Sequence, residues 1–136
     1  MVFGFDIFGV GSKRKWALKL LDSTLVNLEV SSSQIDDGMK YVIYDWALQD
    51  PRNESGFNEN IVDSIMKEAA TMISFCVLGP AETEELWGAT VRQSREQRFT
   101  GVLENGENDS LDARIIKLIL AKGIAAADIK SQVELE

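Results

Sequence analysis

The 136-residue chain contains no histidine, one cysteine and two prolines. Without histidine there is no Ser-His-Asp triad, no Cys-His dyad and no imidazole-ligated metal, and the commonest acid–base group near neutral pH is missing. A single cysteine forms no internal disulfide and builds no cysteine-rich zinc site. Cys76 stands among Phe75, Val77 and Leu78, with no basic neighbour in sequence to activate a thiolate, so it reads as a core residue. Phosphate loops, nucleophile elbows and dinucleotide fingerprints are absent, and Gly9-Val10-Gly11 lacks the third glycine of a Rossmann turn. No EF-hand order of oxygen ligands occurs in the acidic loops at 50–60 and 104–112. The expectation is a chain with no resident cofactor, no metal and no catalytic residue.

Charge excludes a further class. The net charge is −8, and the halves 1–68 and 69–136 each carry 7 basic and 11 acidic side chains. A nucleic-acid-binding protein concentrates a basic face to displace counterions, and an even acidic background opposes that. No apolar run approaches the ~20 residues needed to span a bilayer. The apolar stretch at residues 1–10 precedes the basic cluster Lys13–Lys15, the reverse of a secretory signal, and Asp6 interrupts it. These features predict a cytoplasmic protein with no nucleic-acid partner and no transmembrane segment.

What the chain has in quantity is helical periodicity. Trp16, Leu20, Leu21, Thr24, Leu25 and Leu28 share one face of a helix predicted over 13–30. A second begins near Ser33, carries Ile35, Met39, Val42, Ile43 and Trp46, and stops at Pro51. Asn60 is the expected cap of a third, whose wide apolar stripe (Ile61, Ile65, Ala69, Met72, Ile73, Cys76) marks it as central. Gly79 is its expected stop and Pro80 the start of a fourth, with glutamates early and arginines late. A loop is predicted over Thr100–Asn108. Asp109 or Ser110 then caps a fifth helix so apolar, through Ile116 and Leu120, that it must be deeply buried or lie at an interface. Gly123 ends it, and a short helix follows to about Glu134. The predicted fold is an all-α single-domain bundle of five to six helices over 13–136, with an apolar N-terminal arm over 1–12. The alternative is an α+β fold with short strands near 40–46 and 73–78, where β-branched and aromatic residues gather.

Two basic features are candidate sites. Arg92, Arg95 and Arg98 recur every third residue on one helix face, with Trp87 before them. Such a row can clamp a phosphate, a carboxylate or an acidic partner, or can be a solvated face balanced by Glu96. The other feature is the arm, where Phe3, Phe5 and Phe8 precede Lys13, Arg14, Lys15 and Lys19. Three phenylalanines need a docking surface on this chain, on a second copy or, less in keeping with the charge, on an anionic membrane. The sequence therefore favours a regulatory or adaptor-type module acting through protein–protein contact, as a homodimer. The alternative is a helical ligand-binding protein or enzyme. It would hold a small anion through Arg92, Arg95 and Arg98, with Tyr41, Tyr44, Trp46 or Trp87 lining the pocket.

Overall fold

Why these residues form helices is visible at their starts. In the computed structural model, which describes residues 11–53, 58–105 and 110–134, three helices open on a polar side chain that accepts from the first turn. The Met39 N–H donates to Asp36 at 2.8 Å at the start of α2 (Asp37–Gln49). The Ile61 N–H donates to Asn58 at 3.1 Å at the start of α3 (Glu59–Trp87), and the Ala113 N–H to Ser110 at 3.1 Å at the start of α5 (Leu111–Lys122). Two of these caps correct the sequence reading. Asn58 takes the role expected of Asn60, and α2 starts at Asp36 because the serines before it form a short 3-10 turn, Ser32–Gln34. Of the two caps considered for α5, Ser110 serves.

The remaining helices are α1 (Ser12–Asn27), α4 (Ala89–Asn105) and α6 (Ala127–Glu134), and the described residues contain no strand. The fold is the all-α bundle, and the candidate strands at 40–46 and 73–78 are both helical. Hydrophobic spacing of 3.6 across the whole segment outweighs the local β preference of Tyr-Val-Ile-Tyr and Ile-Ser-Phe-Cys-Val. With the expected break at Gly79 and an unexpected one at Gly88, the described residues hold seven α-helical segments, slightly more than the five to six expected. Pro51 stops α2 as foreseen, with Asp50 extended at ψ 134°.

Two glycines shape the second half. Gly79 does interrupt α3, at φ 85° and ψ 172°, yet the chain resumes helix at once through residues 80–87. Such a conformation is essentially confined to glycine. The space is tight as well, because a Cβ here would lie 3.3 Å from that of Ala126. The same corner is held by the Ala126 N–H, which donates to the Cys76 carbonyl at 2.8 Å, and by Thr83, whose hydroxyl donates to the Gly79 carbonyl at 2.8 Å. Gly88, at φ 94° and ψ 163°, breaks the helix expected to run unbroken from Pro80, and so sets the direction of α4. Beyond it the helix continues to Asn105, where a loop from Thr100 was expected, because Val102 is drawn into the core.

α3 is the central element, in contact with α1, α2, α4, α5 and α6. Its residues Ile65, Met66, Ala69, Met72, Ile73, Phe75 and Cys76 are all fully buried. Phe75 packs on Phe99 of α4 with ring centroids 5.8 Å apart and planes at 52°, a tilted contact favoured by the ring quadrupoles. Each such side chain contributes about 1.5–3 kcal/mol by leaving water. Ile115, Ile116 and Ile119 of α5 are fully buried, so its all-round apolar character is spent inside the bundle. One stripe residue is misplaced by periodicity: Val42 lies on the solvent side of α2, while Tyr44, Ala47 and even Lys40 face inward. Lys40 is tolerated there because its ammonium reaches Asp22 of α1 at 2.8 Å.

Candidate functional site

The arginine row does not present three open guanidinium groups. Gly88 turns α4 so that Arg92 and Arg95 are mostly covered and Arg98 is half-exposed. Arg92 donates to Glu96 at 2.8 Å and lies 3.7 Å from Glu84 across the Gly88 turn. Arg98 reaches Asp112, in the first turn of α5, with a hydrogen bond, and Glu68 of α3 at 3.4 Å. Arg95 stands 3.9 Å from the same Asp112 oxygen. Arg52, in the short 3-10 turn Pro51–Asn53, extends the network to Glu68 at 3.2 Å and to Asp50 at 2.9 Å. The row is thus the inner half of a charge network joining α3, α4, α5 and the Pro51 turn. Trp87 packs against the core, and its indole N–H is buried without a hydrogen-bond partner among the described residues.

Electrostatics at this node are governed by burial. Asp112 is 3% exposed, and burial raises its pKa even though Arg98 and Arg95 pull the other way. One of its oxygens, Oδ1, has no hydrogen-bond partner among the described residues, and the same holds for Nε and Nη1 of Arg95. The bond to Asp112 raises the Arg98 pKa, so that side chain stays a cation throughout the accessible range. At the exposed end the balance reverses: the hydrogen bond from Arg52 lowers the Asp50 pKa.

Two clefts flank the Arg98–Asp112 contact. One, about 560 Å³, is lined by Ser94, Gln97, Gly101 and Val102 of α4 together with Ser110. The other, about 340 Å³, lies between Trp46, Arg52, Glu68 and Arg114, with Arg114 over the Trp46 ring at 5.9 Å. Three arginines of this second cleft (52, 98 and 114) face three carboxylates (50, 68 and 112), so its formal charge is balanced. The aromatic residues expected to share a pocket are separated. Trp46 lines this cleft, Tyr44 is buried with its pKa raised by that burial, Trp87 sits by the core, and Tyr41 is exposed elsewhere.

Tyr41 belongs to a different surface. With Val42 and Leu48 it forms the solvent side of α2, at 45%, 38% and 36% exposure. On its α1 side, Tyr41 also borders a groove of about 320 Å³ with Arg14, Lys15, Leu18, Lys19 and Asp22. Arg14 stands over the Tyr41 ring at 5.0 Å. Phe3, Phe5 and Phe8 lie outside the described residues. Cys76 is buried, with its thiol pushed up to about 12 by desolvation, which suits a core residue and opposes nucleophilic chemistry.

Sequence reasoning found the arginines and Glu96, which pairs with Arg92, but not the partners of Arg95 and Arg98. Asp112, Glu68 and Arg52 come from three separate segments, and nothing in a linear pattern links them. The signal available was local: an aspartate two residues after a capping serine sits in a helix first turn, favourable to the macrodipole. No helix among the described residues is long and apolar enough to cross a membrane, and no group of three or more potential metal ligands occurs among them. Comparison of the chain with protein-family models, curated proteins and solved structures finds no match.

Proposed function

We propose that the chain is a non-enzymatic interaction module of the cytoplasm that works as a homodimer, with the outer face of α2 as the contact surface. The observation that carries this reading is the concentration of exposed apolar side chains on one helix. Tyr41, Val42 and Leu48 are three of the five large hydrophobic residues left exposed among the described residues. Apolar side chains grouped on one helix favour a partner surface, and a two-fold axis lets one patch meet itself. The Phe3, Phe5 and Phe8 segment would add to the same assembly by docking on the mate. Sedimentation equilibrium over about 1–100 μM protein, a range set by ordinary dimer affinities, should report a dimer. The Val42→Ser/Leu48→Ser variant should be monomeric with its helical circular dichroism unchanged. A wild-type monomer throughout that range removes the proposal.

The second reading is a binding site for a small anion, favoured by the 340 Å³ cleft where Arg52, Arg98 and Arg114 meet the N-terminal turn of α5. Those cations already face carboxylates, so an entering anion must displace existing pairs. Native mass spectrometry of the purified protein distinguishes the two readings, since it reports assembly and any retained anion together.

A further inference from the structure

The basic strip on α1 differs from the arginine row on α4 in lacking acidic partners among the described residues. Arg14, Lys15 and Lys19 have no carboxylate within ion-pair distance among the described residues. Asp22, the one acid among the described residues of the groove, is committed to Lys40 at 2.8 Å. Lys15 and Lys19 are one helical turn apart and therefore share a face. Below them the groove has an apolar floor, Leu18 and the exposed ring of Tyr41, with Arg14 stacked over that ring.

We infer that this groove binds a short acidic peptide segment, with carboxylates on Arg14, Lys15 and Lys19 and one apolar side chain over Leu18 and Tyr41. Charge geometry selects a short segment over a polyanion. The chain carries −8 overall, and at physiological salt the field of a small patch reaches only about 8 Å. The strip is about 8 Å long along the helix, so a segment of about 20 Å at full extension keeps its carboxylates within roughly one screening length of it. A nucleic acid or an anionic bilayer extends past the patch onto acidic surface and is repelled. The groove meets the proposed dimer face at Tyr41, so a peptide and a second copy would compete for that ring, while the cations that select an acidic segment, and the residues tested, lie on α1.

The probe is a blocked hexapeptide, Glu-Asp-Leu-Phe-Asp-Glu, titrated into isotope-labelled full-length protein while amide shifts are followed. Saturable shifts along α1 and around Tyr41 are expected at about millimolar peptide or below, the range for a small charged contact. Lys15→Glu/Lys19→Glu should weaken binding by at least about 10-fold. The same variant should keep its melting temperature and its sedimentation behaviour, which separates loss of this site from misfolding and from loss of the dimer. Raising the salt should weaken the wild-type interaction, and the Gln-Asn-Leu-Phe-Asn-Gln analogue should not bind. No saturable binding overturns the proposal, as does equal binding of the neutral analogue or of the charge-reversed variant. So does a result in which inorganic phosphate, an oligonucleotide or phosphatidylserine vesicles perturb these residues and the acidic peptide does not.

Discussion

Two groups of cations in this chain look alike in one dimension and behave oppositely in three. Arg92, Arg95 and Arg98 on α4 and Arg14, Lys15 and Lys19 on α1 are both spaced to lie along a helix. The α4 group is enclosed by Glu84, Glu96, Glu68 and Asp112 and ties helices together. The α1 group meets solvent, an aromatic ring and, among the described residues, no carboxylate within ion-pair distance. Whether a row of cations stabilises the fold or faces outward depends on what the neighbouring helix supplies. α5 brings an aspartate to α4, whereas α2 brings a tyrosine to α1.

Breaking the enclosed group should have the largest effect. Arg95→Ala/Arg98→Ala leaves Asp112 buried without a counterion and should cost about 2–4 kcal/mol in urea unfolding, near the lower part of the range for a disrupted buried pair because Arg98 is half-exposed. The loss should depend on pH in a defined direction. Burial already raises the Asp112 pKa, and removing the two guanidinium groups withdraws the influences that lower it. For an acid with a raised folded pKa, the stabilising contribution is complete below the unfolded value near about 4 and is lost as pH rises through the folded value. The deficit of the double variant should therefore be small in acid and grow toward neutrality. A deficit that shrank with rising pH would contradict the buried-carboxylate account.

Gly88→Ala tests how the enclosed group is aimed. Nothing lies within 4 Å of the position a Cβ would take, so the penalty is purely that of the backbone, at φ 94°. About 1–3 kcal/mol is expected, read as a shift in the urea midpoint. Because Gly88 sets the direction of α4, the network beyond it should loosen, with faster hydrogen exchange at the start of α5. Unchanged exchange there would show that the network holds its own geometry.

The smallest effect should come from the open group. Lys15→Glu/Lys19→Glu replaces exposed cations and breaks no ion pair among the described residues, so stability should stay within about 0.5 kcal/mol. A clear loss in thermal unfolding would mean the strip pairs within the fold, and the contrast between the two groups would vanish.

Much of the bundle is legible from spacing alone. The inward faces of α1, α3 and α5 follow from Leu21 and Leu25, Ile65 through Cys76, and Ile115 with Ile119, because a 3.6-residue period projects directly onto a helix surface. Pro51 and Gly123 mark helix ends for local backbone reasons and are equally readable. Less readable is Gly88, since an isolated glycine inside a helical pattern is compatible with either continuation or a break. Val42 leaves the apolar stripe for solvent and Lys40 turns inward because burial on α2 is decided by where α1 and α3 lie, and Asp22 of α1 makes a buried lysine tolerable.

The sequence by itself favoured the helical class over α+β and determined the lack of imidazole groups, the lack of an internal disulfide and the identity of the cation clusters, all of which depend on residue type and local spacing. Only the tertiary structure decided which cluster is neutralised. Ion pairing requires opposite charges within about 4 Å, and the partners of Arg98 come from residues 14 and 30 positions away in the chain. Such distances are set by helix packing around α3. They leave Arg98 bound inside the network and Arg14, Lys15 and Lys19 available at the surface.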